Sequence, residues 1–342
     1  IPEEAKGLVW LAKNIIELWN LRGVGISTWK ATTARTLFVS YLFNISREEL
    51  AQGKFKSSYW SNLPDLLIEE KHKTNWLHIY IKDALHPNTK CAGETIKVLN
   101  SQKKSGQTHI MLESFLSLNV IFTTIIDWNR LRRFGNTYRN TISKAGGKDS
   151  IIWPLISSDW ESSTRGVCSM SNSLYTNLFD SAIKSLPTQE TGIYLQENIG
   201  WEFGFIQSWK AYSHGKAIGW PHGAIRYWDL RYFFDPIEFS DQSIYARPRP
   251  NYVATSGPLD KQTLIDSGYP EEELVQAEAL RFLHLNKYNK KLPSNNSTQN
   301  EDLHLLVIGD TSKSSTRFLL DLLDTASKNL PGNLQVTIKF HP

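Results

Sequence analysis

The chain has 342 residues, 40% of them hydrophobic and 21% charged, with a formal net charge of +4. That is enough for two or three globular domains, and too little and too dispersed a positive charge for a nucleic-acid partner. Cys91 and Cys168 are its only cysteines, which excludes a disulfide framework or a thiolate metal site and suits a reducing, cytoplasmic setting.

Ile1 is not an initiator Met and Pro342 follows directly on a strand pattern, so both ends read as cuts in a longer protein. The piece alone is expected to be inactive. No signal peptide opens it. Gly7 to Arg22 carries Leu8, Leu11, Ile15, Leu18 and Trp19 at helical spacing. Ser46 with Glu49 three residues later matches a capping box. Asn62 to Glu70 predicts a short helix with Pro64 in its first turn, and Trp76 to Ile81 predicts a strand. His86 to Gln107 is polar and turn-rich and predicts a surface loop. His109 to Trp128 comes nearest to a membrane span, but Glu113, Asn119 and Asp127 make it too polar. Arg130, Arg132 and Arg133 follow it and leave a peripheral contact with anionic lipid open. Residues 1–150 read as a mostly helical part.

Residues 151–285 alternate in the manner of a Rossmann-like, doubly wound α/β domain. Ile151 to Ile156 predicts a strand and Leu174 to Ser185 a helix. Ile193 to Leu195 predicts a strand ending at Gln196-Glu197-Asn198; Trp201 to Tyr212 predicts a helix closed by Gly215. Lys216 to Trp220 predicts another strand, ending at Pro221-His222-Gly223. A long aromatic loop covers Ala224 to Pro250. Strand Tyr252 to Thr255 and helices near Asp260–Ser267 and Glu271–Leu285 complete the domain. Residues 286–302 contain almost no apolar side chain and read as a linker. From 303 to 342 the pattern is strand (Leu303 to Ile308), Ser-rich turn, helix (Thr316 to Asn329) and strand (Gln335 to Phe340). This predicts the start of a second Rossmann-like domain.

Ligands of open parallel sheets bind outside the carboxyl ends of strands. The two polar strand ends at 196–198 and 221–223 therefore predict a pocket. His222 suits proton transfer because an imidazole titrates near neutrality; Glu197 or Glu202 would orient it, or one of them would be the base. Trp201, Arg226, Asp229 and Arg231 are candidate substrate contacts, although the two arginines around Asp229 fit a surface ion network equally. Asp235 ranks below these as a base. Ser312, Lys313, Ser314 and Ser315 offer hydroxyls, an ammonium and backbone N–H groups that fit phosphate, or simply a capped helix start. The spacing is not that of a Walker A loop. No His-Glu-x-x-His, paired cysteines or Asp-x-Asp implies a metal.

The run QENIGWEFGFIQSWKAYSHGKAIGWPHGAIRYWDLRYF, with TNWLHI, YVATSG, EALRFL and the late IKFHP, resembles the bacterial surface carbohydrate biosynthesis proteins. These are similar to glycosyltransferases of the GT-B architecture. The resemblance covers most of the chain and is strongest over 191–285. It implies a metal-independent transferase without a cofactor, moving a sugar from a nucleotide sugar to a glycan or lipid-linked glycan, with a CMP-linked acidic sugar slightly favoured as donor. His341-Pro342 resembles the His-Pro motif that contacts donor nucleotide or phosphate in sialyltransferases, capsule transferases and glycerophosphotransferases. Pro-His222-Gly resembles the His-Gly turn of the last group. A non-catalytic carbohydrate-binding or assembly protein and a polyol-phosphate phosphotransferase remain the alternatives.

Overall fold

The computed structural model describes all residues except 103–105, 145–150, 227–228, 240–245, 288–302, 311 and 341–342. The chain forms two compact units, Ile1–His284 and Leu285–Pro342.

The first unit is built on seven strands: β1 (Thr36–Tyr41), β2 (Thr74–Ile79), β3 (Gln107–Met111), β4 (Thr191–Gln196), β5 (Lys216–Pro221), β6 (Tyr252–Thr255) and β7 (Leu274–Gln276). They lie in the order β3-β2-β1-β4-β5-β6-β7, and all the pairings are parallel. This is the Rossmann-type, doubly wound order, which reverses direction between β1 and β4. Strands of such a sheet are covered on both faces, so they read as near-continuous apolar runs. All of β2 and five of the six residues of β1 are buried. Trp76 of β2 stacks on Phe38 of β1 at 4.3 Å between ring centroids.

Four expectations change. Residues 1–150 are not a separate helical part: they supply β1, β2 and β3, and β1 is central. The supposed strand Ile151 to Ile156 opens the helix Ile152–Thr164 instead. Pro154 is compatible with that helix because the first-turn N–H groups have no intrahelical acceptor. The polar stretch 86–107 contains the helix Thr89–Ser101. Asn88 caps it by accepting from the Cys91 N–H at 3.0 Å, and Ala92, Ile96 and Leu99 form its buried face. Finally, 271–285 is no α-helix: after a 3₁₀ turn, Leu274–Gln276 pairs with β6 as the edge strand β7, and Leu280–Lys287 is 3₁₀. Pairing with a sheet edge outweighs helix propensity there.

The 191–223 unit forms as expected: β4, the helix Gly200–Ala211, then β5 beside β4. Gly200 lets the Asn172 amide of the helix Val167–Lys184 lie close against the turn, for a Cβ there would stand 2.3 Å from Asn172 Oδ1 and push that side chain aside. Gly215 is required because a Cβ would meet the Glu190 carbonyl oxygen at 2.0 Å.

In the second unit, β8 (Leu303–Ile308) and β9 (Leu334–Lys339) pair in parallel, joined through the helix Lys313–Ser327. This is the predicted βαβ unit. The proposed linker lies almost wholly outside the described residues, as does His341.

Candidate functional site

The crevice is set by the strands. β1 and β4 pair only from Thr36↔Thr191 to Val39↔Tyr194. On its other side β1 stays paired to Tyr41↔Ile79, and β4 stays paired to Gln196↔Pro221. The two central strands therefore part before their carboxyl ends, at the reversal of strand order, where ligands of this architecture bind. Tyr41 closes β1, Glu197 follows β4 and His222 follows β5.

Glu197 and His222 meet there. His222 Nε2 is 3.2 Å from Glu197 Oε1, with the imidazole 13% and the carboxylate 29% exposed. Burial, reinforced by the guanidinium of Arg281, pushes the imidazole down to about 4, so it is neutral at pH 7. The tautomer with its proton on Nε2 turns that N–H toward the carboxylate. Nδ1 is then the lone-pair nitrogen; it is buried and has no hydrogen-bond partner.

The other carboxylate oxygen, Oε2, accepts from the Tyr41 hydroxyl at 3.4 Å, and that hydroxyl accepts from Trp201 Nε1–H at 3.1 Å. Burial, then the charge of Glu197, pushes the Tyr41 phenol far up, so it remains a donor. Tyr59 meets the His222 ring edge-on at 4.8 Å, and the Arg281 guanidinium lies over the Tyr59 ring at 5.4 Å. The result is an ionisable carboxylate held by two neutral donors and partly open to solvent, an arrangement suited to taking a proton from a hydroxyl.

Glu202 has a different part. The helix Gly200–Ala211 begins after Ile199, whose side chain has no oxygen with which to cap it. Glu202 reaches back instead and accepts from the backbone N–H groups of Glu197 (2.7 Å), Asn198 (3.1 Å) and Ile199 (3.2 Å). Its carboxyl is 1% exposed; burial raises it to about 8, while the N–H donors work in the opposite direction. It does not bond to His222. It fixes the backbone of Glu197, with Asn198 held at a φ of 55° in the left-handed region. Glu202 is thus a positioning residue rather than the imidazole's partner.

Trp201 offers no face to a ligand: it is 7% exposed and stacks on Phe179 at 5.6 Å. Its position in the first helical turn aims it at the sheet. Arg231 forks onto Asp229, with Nε–Oδ1 2.8 Å and a second bond to Oδ2 of 2.6 Å, so the two satisfy each other. Asn198 ties that loop to the crevice by donating to the Arg231 carbonyl at 3.1 Å. Arg226 is exposed. Asp235 caps a 3₁₀ turn by accepting from the Ile237 N–H at 3.0 Å. In the second unit, Ser312 Oγ accepts from the Ser315 N–H at 3.3 Å and lies 2.7 Å from Ser314 Oγ, and Lys313 opens the helix. Among the described residues no three His, Cys, Asp or Glu side chains gather to hold a metal.

Tyr41, Tyr59 and Arg281 belong to the site and were not legible as such. Tyr41 ends an apolar run, TLFVSY, whose strand character was the available signal. Arg281 lies in EALRFL, read there as part of a helix. Nothing local marks Tyr59.

No protein-family model matches the chain, and no curated protein matches it. Among solved structures, it is similar to the UDP-GlcNAc 2-epimerase of Neisseria meningitidis bound to UDP-GlcNAc, at 10% identity and a TM-score of 0.39 over 90% of this chain. The chain spans 65% of that protein's length. It is also similar to the UDP-GlcNAc 2-epimerase of Methanocaldococcus jannaschii, at 8% identity and a TM-score of 0.37, over 90% of this chain and 73% of that one. Likeness at this level carries no activity across, and the architecture rests on the strand order.

Proposed function

We propose that the protein is a GT-B-type glycosyltransferase of surface polysaccharide assembly, with Glu197 as the general base. The observation that carries this reading is the Glu197–His222 pair at 3.2 Å, placed at the parting of β1 and β4. In the reaction, the acceptor hydroxyl gives its proton to the Glu197 carboxylate. Its oxygen bonds to the anomeric carbon of the donor sugar, and the bond from that carbon to the nucleotide phosphate breaks. The nucleotide leaves with the bonding pair. His222 Nε2–H and the Tyr41 hydroxyl hold the carboxylate in place. His341 is assigned to the donor by resemblance to the nucleotide-binding His-Pro transferases, and the Ser312–Ser315 turn by its hydroxyls, ammonium and backbone N–H groups at a helix start. By the same resemblance the transfer is metal-independent, and this reading gives the leaving-group charge to cationic side chains and backbone N–H groups.

The test is nucleotide release from CMP-, UDP- and GDP-sugars by the complete protein, with the sugar product followed by NMR. Release coupled to a new glycosidic bond, lost in Glu197→Gln, is the expected result. A donor converted to its epimer, or turnover untouched by Glu197→Gln, would overturn the assignment.

The same reading sets the enzyme against anionic lipid at the inner face of the membrane. The helix Leu118–Ser143 carries Arg130, Arg132 and Arg133 with no acidic residue from 129 to 143. Beside these, Phe134 is 50% exposed, and on the next helix Ile152 and Leu155 are 54% and 75% exposed. Such a mixture of exposed apolar and basic side chains favours an interfacial helix. Among the described residues no helix is long and apolar enough to cross a membrane. Leu155→Asp should abolish flotation with phosphatidylglycerol vesicles; unchanged flotation would refute this surface.

A further inference from the structure

Next to the dyad lies an open cleft of about 690 Å³, formed by the turn after β1, the 56–61 segment and the 3₁₀ turn at Arg281. We propose that this cleft is the acceptor subsite and that it takes a saccharide bearing a carboxylate or phosphate, read by Arg281. The assignment as acceptor rests on the transferase reading above; the anion selectivity does not.

Size is the first argument. Small-molecule sites occupy roughly 300–1,000 Å³. The other cavity near the crevice, between Gln196, Glu202 and Tyr269, holds about 30 Å³, which is room for about one water molecule.

The wall is preformed. The Ser58 N–H donates to the Asn44 carbonyl at 3.1 Å, the Ser61 N–H donates to the Ser57 carbonyl at 2.9 Å, and Ile45 and Ser57 form a β-bridge. Asn44, Ser58 and Ser61 line the cleft. Amide and hydroxyl groups on a fixed wall match the polyhydroxyl edge of a sugar, and preorganisation lowers the ordering cost of binding.

Arg281 supplies the charge preference. Several arginines of this unit bind carboxylates: Arg231 binds Asp229, Arg249 binds Glu273, and Arg165 binds Glu4 and Glu161, whereas Arg22 and Arg132 rest on Trp19 and Trp128. The Arg281 guanidinium has no carboxylate within 4.0 Å among the described residues. It rests on two aromatic rings, Tyr59 at 5.4 Å and Phe282 at 5.9 Å. A guanidinium that rests on rings rather than on a carboxylate keeps N–H donors for a planar carboxylate or a phosphate. Lys56, also on the cleft, faces Glu49 and Asp65 only at 4.0 Å and 3.8 Å. Because Tyr59 touches both Arg281 and His222, an anion on Arg281 stands one aromatic ring from the dyad.

The experiment is calorimetry on the 342-residue chain at low salt with three probes: a glucuronate-terminated disaccharide, its neutral glucose counterpart, and glucose 1-phosphate. At least one charged probe should bind about tenfold or more tightly than the neutral sugar, the scale of one charge-assisted contact. Arg281→Gln should bring that ratio close to one, while Arg281→Lys should retain part of it. Preference for the glucuronate identifies an acidic sugar; preference for the phosphate identifies a phosphorylated or phosphate-linked acceptor. Equal binding of all three, no binding by either charged probe, or a ratio indifferent to Arg281→Gln would overturn the proposal. Selective binding in a protein that transfers no sugar would instead leave the anion cleft standing and remove the transferase reading.

Discussion

Two turns in this molecule lead from a strand end into a helix and look alike in sequence: 197–202 after β4, and 310–315 after β8. Both carry polar side chains, and both suit a ligand on paper. They differ in what holds the backbone of the turn and what its polar side chains are bound to. After β8, Ser312 does so itself and also lies against Ser314, while the Thr316 hydroxyl bonds with both the N–H and the carbonyl of Asp310 at 3.0 Å. After β4, a buried residue in the first helical turn binds the backbone ahead of the helix: Glu202 accepts from the successive N–H groups of Glu197, Asn198 and Ile199, and the Glu197 side chain faces the crevice. A polar turn keeps a side chain available to a ligand when its backbone is held by a different, buried side chain.

The sharpest way to break this comparison is at the freed carboxylate. Glu197→Gln in the complete protein should lower turnover by about 10²–10⁴-fold, the usual worth of a general base, with melting temperature little changed. A loss below tenfold would return Glu197 to the status of an ordinary turn residue.

The capping residues come next. Glu202→Ala leaves buried N–H donors without an acceptor, at about 1–3 kcal/mol each before relaxation, and should lower the denaturation midpoint together with activity. Ser312→Ala removes an exposed cap and should cost only about 1 kcal/mol, seen as faster hydrogen exchange at the start of the helix Lys313–Ser327. Equal losses from the two substitutions would mean that the burial of Glu202 is not what separates the turns.

The smallest effect is expected at His222. With Nε2 beside Glu197 at 3.2 Å and Nδ1 enclosed, the transferase reading makes the imidazole a donor rather than the base. His222→Gln can replace that donor and should keep turnover within about tenfold of the natural enzyme; His222→Ala should fall further. If the Gln variant is as impaired as Glu197→Gln, the imidazole is itself the base.

Much of the site's frame was legible. The strand–helix–strand pattern of 191–221 and its polar strand ends follow from local periodicity, and the adjacency of consecutive parallel strands brings His222 toward Glu197 and Glu202 without choosing between them. The same reasoning failed at 151–156, where an apolar, β-branched run reads as a strand but has no strand to pair with and lies in a helix. It failed too at Trp201, for an aromatic beside polar residues looks the same in sequence whether it faces a sugar or a sheet.

What the sequence determined by itself is the kind of element each segment forms and the supply of chemistry at strand ends, because backbone preference and side-chain period act over a few residues. Tertiary structure alone decided that β1 lies beside β4, which brings Tyr41 from 156 positions away to Glu197, and that Arg281 lies over Tyr59. It also decided which of two neighbouring glutamates is buried and which is free. Those outcomes depend on strand pairing between distant segments and on the removal of water around charged groups, neither of which a stretch of sequence carries by itself.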